Sequence, residues 1–220
     1  MGGEMLFEVE VPSRFVGPVQ LNDGTLLAVF RTMSRLHSTD EGRTWESAGP
    51  LGERQGTEAD IRPHTLIRLQ SGAVALICWE TDTSKPPKNH GMRINTCLFR
   101  KSLDEGRTWS HPVRVTPADT PAYPTFMIQT RSGRLVIGNE YAFNQVSDIH
   151  HSAHHEMCIC SALYSDDEGD SWTESADYQF VSEHDGALAH IVETPCIAET
   201  ADGRLLMFMR TEMSPRSELQ

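Results

Sequence analysis

Lysine is nearly missing from this sequence: Lys85, Lys88 and Lys101 are the only three, and arginine supplies the other 16 of the 19 basic residues. With a formal net charge of −12 and no basic run, the chain is a poor candidate for nucleic-acid binding, which depends on neutralising phosphates. No run of about 18 apolar residues occurs, so no membrane-spanning helix is predicted. The opening Met1-Gly2-Gly3-Glu4-Met5 lacks the basic and apolar regions of a secretory signal, and the expectation is a chain not exported by that route, cytoplasmic by default. Cysteines number five, an odd count, and no CxxC pair is present. Cys158-Ile-Cys160 is too little for a metal site, and neither a metal nor a cofactor is expected. Cys78, Cys97 and Cys196 lie in apolar stretches and read as small buried hydrophobes. The arginine excess suits bidentate recognition of carboxylates, although codon usage in a GC-rich genome explains it equally well.

What the sequence does contain is a repeat. One octapeptide occurs three times: Ser38-Thr-Asp40-Glu-Gly42-Arg-Thr44-Trp45, Ser102-Leu-Asp104-Glu-Gly106-Arg-Thr108-Trp109 and Ser165-Asp-Asp167-Glu-Gly169-Asp-Ser171-Trp172. The aspartates Asp40, Asp104 and Asp167 are 64 and 63 residues apart. Chemically this is a tight turn between strands. The Asp accepts hydrogen bonds from backbone N–H groups, the Gly takes a φ > 0 position, and the Trp packs into the core. The motif is therefore structural, and its aspartates are not catalytic candidates.

A second unit recurs beside it, a hairpin glycine followed by an apolar strand: Gly24 before Thr25 to Phe30, Gly72 before Ala73 to Cys78, Gly133 before Arg134 to Ile137, and Gly203 before Arg204 to Met209. These strands are apolar on both faces and are expected to be covered on both sides, as stacked propeller blades provide. The chain thus reads as one all-β unit, residues 1–220, of about three and a half blades: 14–50, 60–115, 121–180 and a fourth begun at 190–211. Phe7, Val9 and Val11 alternate with Glu8 and Glu10, which predicts a further strand near the N-terminus. Thr211 to Gln220 supplies no third strand for the fourth blade, so the ring is expected to be incomplete.

The octapeptide resembles the Asp box of the sialidase (neuraminidase) superfamily, whose fold is a six-bladed β-propeller. Arg14, ten residues before the Gly24-Thr-Leu-Leu-Ala28 hairpin, resembles the first arginine of that family's carboxylate-binding triad, with Phe15-Val16 departing from the usual Ile-Pro. Glu193, ten residues before Gly203, resembles the carboxylate that activates the family's nucleophilic tyrosine, and Arg210 the second triad arginine. One extra residue separates Glu193 from Glu199, a slip that reverses a strand's face unless a bulge absorbs it. Counting ten back from each hairpin glycine yields Arg14, Arg62, Tyr123 and Glu193, equivalent positions expected to converge at the start of the innermost strands. By itself that convergence reads equally as ordinary polar strand ends.

The resemblance implies an exo-α-sialidase-type glycosidase that holds an acidic sugar by its carboxylate, with an arginine cluster, a tyrosine nucleophile, a glutamate base and an aspartate acid. The acid/base aspartate belongs in a loop after the first hairpin, yet Arg31 to His37 leads straight into the octapeptide. Asp60 and Asp82 are substitutes from the second blade. The third arginine and the tyrosine are expected in later blades, so the 220 residues alone are expected to be inactive. Two alternatives stand beside this: a non-catalytic propeller that binds glycans or proteins, and a glycosidase or lyase for uronic acids. Two long loops complete the reading. Asn139 to Met157 carries His150, His151, His154, His155 and Glu156 without a closing metal-ligand set, and offers Tyr141 and Asn144 as sugar contacts; Thr81 to Asn95 reads as a solvated excursion.

Overall fold

A computed structural model describes residues 15–51, 59–82, 95–116, 122–143, 157–176 and 189–213. The predicted strand near the N-terminus lies outside them. The described residues form strands and turns only, so no helix among them is long and apolar enough to cross a membrane. Three sheets are four-stranded and antiparallel. The first holds β1 (Phe15–Gln20), β2 (Leu26–Phe30), β3 (Ser34–Ser38) and β4 (Glu46–Pro50). The second holds β5 (Ala59–Arg68), β6 (Val74–Asp82), β7 (Asn95–Ser102) and β8 (Val113–Arg114). The third holds β9 (Ala122–Gln129), β10 (Leu135–Phe143), β11 (Met157–Ser165) and β12 (Thr173–Glu174). A final hairpin pairs β13 (Ala189–Glu199) with β14 (Leu205–Met213). Each sheet packs on the next through its first strands, as propeller blades do.

The octapeptides are the predicted turns. In each, the aspartate accepts from the backbone N–H and the hydroxyl of the residue four positions on: Thr44 at 2.8 and 2.7 Å from Asp40, Thr108 at 2.8 and 2.6 Å from Asp104, Ser171 at 2.8 and 2.6 Å from Asp167. Both Gly and the preceding Glu take positive φ, as at Glu105 (60°) and Gly106 (76°). The turn then reaches back to the previous blade. Glu105 accepts from Asn22 of that blade, and from Arg68 of its own at 2.7 Å, and a Cβ on Gly106 would meet Leu27 Cδ2 at 2.6 Å. A Cβ on Gly169 would overlap the Phe99 ring, against which Trp172 tilts.

These hydrogen bonds, led by the hydroxyl donors, pull the Asp40, Asp104 and Asp167 carboxyls down to about 2. With the folded value below the unfolded 3.8, their contribution is complete above that pH and is lost as pH falls toward 2. The expected result is a thermal midpoint that drops between about pH 4 and pH 2, and a smaller drop in Asp104→Asn, measured by circular dichroism.

Cores lie between blades. Leu27 and Val29 meet Leu66, Val74 and Leu76 at the first seam, with Trp109 against them. Ala75, Ile77, Cys97 and Phe99 meet Met127, Leu135, Ile137 and Leu163 at the second. Strands β2, β6 and β10 are therefore covered on both faces, as their sequences predict. The fourth is not: Leu206 (43% exposed) and Phe208 (63%) occupy the positions that face the following blade in the other three. For the same reason Cys196, the register partner of Phe208, is exposed rather than buried, while Cys78 and Cys97 are buried as expected.

Candidate functional site

All four first strands carry a bulge six to nine residues before their hairpin glycine. Gly17 and Pro18 face Ala28; His64 is extra between Pro63 and Thr65; Thr125 and Phe126 face Gly138; Thr194 and Pro195 face Met209. A bulge re-aims the residues on either side of it, and bulges concentrate beside functional sites. The last one takes up the extra residue between Glu193 and Glu199, so that Glu193 is the register partner of Arg210.

The same register holds in the neighbouring blades, where Arg62 pairs with Trp79 and Tyr123 with Glu140. Counting therefore works on the second strand too: Trp79, Glu140 and Arg210 each lie seven residues past their hairpin glycine. Register partners project from the same face of a sheet. Side-chain contacts then join blade to blade at this end of the strands. The Trp79 and Tyr123 rings meet edge-on with centroids 6.0 Å apart. One seam further, Glu140 Oε2 accepts from the Thr194 backbone N–H at 2.8 Å, immediately beside Glu193.

Below this rim His64 stacks on Trp79, centroids 4.8 Å apart, and meets Phe126 at 5.2 Å. Its Nδ1 lies 3.2 Å from Thr65 Oγ1, and burial lowers its pKa against a hydrogen bond with the Thr125 backbone. Through these contacts His64 ties the second and third blades together. Thr125 does the same for the third and fourth. Its hydroxyl donates to the Pro195 carbonyl oxygen, an approach that Gly138 allows because it has no side chain.

Of the residues singled out from the sequence, Arg62 and Arg210 are exposed and Tyr123 is half-buried. Arg14 lies outside the described residues, as do His150, His151, His154, His155, Glu156 and Asn144. The backbone of Asp60 and Asp82 sits at the same end of β5 and β6 as Arg62, in register with Thr81 and Ala59. The connection from β2 to β3 is residues 31–33 alone, so it holds no acid/base loop. Tyr141 was expected in a loop as a sugar contact; instead it continues β10, paired with Ile159 and Ala122, and is buried. Strand β10 runs five residues beyond Gly138, to Phe143, which apolar patterning alone did not reveal. Sequence reasoning missed Trp79, Glu140, His64 and Phe126, although the count that found Arg62 finds the first two when carried onto the second strand.

No family model matches the chain, and no curated protein does. Solved structures do. A protein of unknown function from Dyadobacter fermentans superposes with a TM-score of 0.64 at 17% identity, over 93% of this chain and 64% of that one. A Hadza microbial sialidase gives 0.57 at 20%, over 88% and 41%. A Penicillium chrysogenum alpha-L-arabinanase complexed with arabinobiose gives 0.56 at 16%, over 91% and 58%. At these identities the likeness defines the fold, an all-β propeller, of which this chain spans 41–64% of the length of those relatives.

Proposed function

We propose that this protein is a sialidase-like propeller whose channel mouth holds an acidic sugar by its carboxylate. What supports the reading is that three register pairs, Arg62/Trp79, Tyr123/Glu140 and Glu193/Arg210, occupy equivalent places in successive blades, with the Trp79–Tyr123 and Glu140–Thr194 contacts running from blade to blade. Arg62 and Arg210, with Arg14, form charge-assisted bidentate bonds to the carboxylate. Tyr123 offers a hydroxyl to the sugar. Glu193 is the base that raises the nucleophilicity of a tyrosine. That two of the similar structures are named a sialidase and an arabinanase supports a carbohydrate ligand.

A second reading, a propeller that binds acidic glycans without cleaving them, is favoured by the short β2–β3 connection and its lack of an acid/base aspartate. A variant series decides whether the arginines matter. Arg210→Ala is expected to weaken N-acetylneuraminic acid or glucuronic acid binding by about 10- to 100-fold, the worth of a hydrogen-bonded charge pair, read by calorimetric titration. Unchanged affinity would remove Arg210 from the site. Turnover of a fluorogenic sialoside by the same protein separates hydrolysis from binding alone.

A further inference from the structure

The aromatic stack beneath the rim has no part in holding a carboxylate. Phe126 is 56% exposed although it lies on β9, the innermost strand of its blade, where the neighbouring Thr125 and Met127 are buried. The bulge explains the exposure. Two residues face Gly138; Thr125 turns inward to bond Pro195, and Phe126 is left turned outward. The ring does not hang free. It leans on His64, which stacks on Trp79, which in turn meets Tyr123. Three residues along the strand from Tyr123, it stands within about 10 Å of the rim. An apolar ring backed by other rings, with Arg62 exposed on the preceding blade as the register partner of Trp79, suits a ligand with one apolar face and one anionic group.

A pyranose acid is such a ligand. Its axial C–H groups form an apolar patch that covers an aromatic face, while the carboxylate projects from the ring edge. We propose that Phe126, backed by His64 and Trp79, is a stacking subsite for the ring of the acidic sugar, and that it selects cyclic sugar acids over open-chain ones. This rests on the acidic-sugar reading above. Burial disfavours the charged form of His64, so the layer under Phe126 suits an apolar face and the anion is left to the arginines.

Glucuronic acid and gluconic acid test this, since both carry a carboxylate and a run of hydroxyls and only the first has a pyranose ring. The 220-residue chain is expected to bind glucuronate about tenfold more tightly than gluconate, the worth of a well-packed aromatic contact. Phe126→Ala is expected to abolish that preference while leaving gluconate affinity and the thermal midpoint unchanged, and Phe126→Tyr to retain it. Equal loss for both acids, or a preference that survives Phe126→Ala, overturns the stacking subsite alone. If the unaltered chain binds neither acid, the acidic-sugar reading falls and the subsite falls with it.

Discussion

Gly138→Ala is expected to lower the thermal midpoint by about 6–12 °C, corresponding to ~3 kcal/mol at 2–4 °C per kcal/mol for a chain of this size. The added Cβ would overlap the Pro195 carbonyl oxygen and lie 2.8 Å from Thr125 Oγ1 and 3.0 Å from the Pro195 carbonyl carbon. Backbone cannot swing aside as a flexible side chain can. Pro195 is moreover fixed by the Thr125 hydroxyl and by the bulge itself, so relief requires the fourth blade to lift away from the third. Amide exchange is then expected to lose protection in β13 and β14 selectively. Gly72→Ala is the control: a Cβ there meets nothing within 4 Å, and its cost is the strain of a φ of +90°, about 1–2 kcal/mol. A smaller loss for Gly138→Ala than for Gly72→Ala would show that the close approach of these two blades is misplaced.

A larger effect still is expected of Ile77→Asp. Ile77 is fully buried at the seam between the second and third blades, among Phe99, Met127 and Leu163. A carboxylate placed there meets a desolvation cost of several kcal/mol with no partner, on top of the lost packing. Against a total stability of about 5–15 kcal/mol, the cooperative unfolding transition is expected to disappear. Phe208 stands at the equivalent position in the last hairpin, five residues past its glycine, yet is exposed. Phe208→Asp is therefore expected to shift stability by no more than about 0.5 kcal/mol. It is also expected to reduce self-association at the apolar face that Leu206 and Phe208 present. Should Phe208→Asp unfold the protein as Ile77→Asp does, that face is covered in solution.

The pair illustrates what the sequence could and could not convey. Two-sided apolar strands after each glycine made the blades legible, because β2, β6 and β10 need cover on both faces and obtain it from their neighbours. The run from Leu205 to Met209 has the same pattern, and only the structure distinguishes it, since cover depends on what stands opposite and not on the strand itself. Likewise the three octapeptides were legible as turns because Asp, Gly and Trp each have a distinct physical task. Their reach onto the preceding blade, through the bonds of Glu105 with Asn22 and the bare Cα positions of Gly106 and Gly169, was not.

At the candidate site, Arg62, Tyr123 and Glu193 came from counting back from the glycines, and Arg210 from the resemblance. The count carries no information about bulges, which shift no residue out of sequence but decide which ones turn outward. Phe126 and His64 owe their positions to bulges, and Tyr141 owes its burial to a strand longer than its apolar core. Those features depend on close approach between sheets, which a single strand's pattern does not encode.

The central claim, recognition of a carboxylate at the channel mouth, is tested most directly by titrating the 220-residue chain with glucuronic acid and with glucose at low ionic strength. The two differ only in the group at C6. The account predicts that the acid binds at least tenfold more tightly and that added salt narrows the gap. Equal affinities at every salt concentration would contradict it.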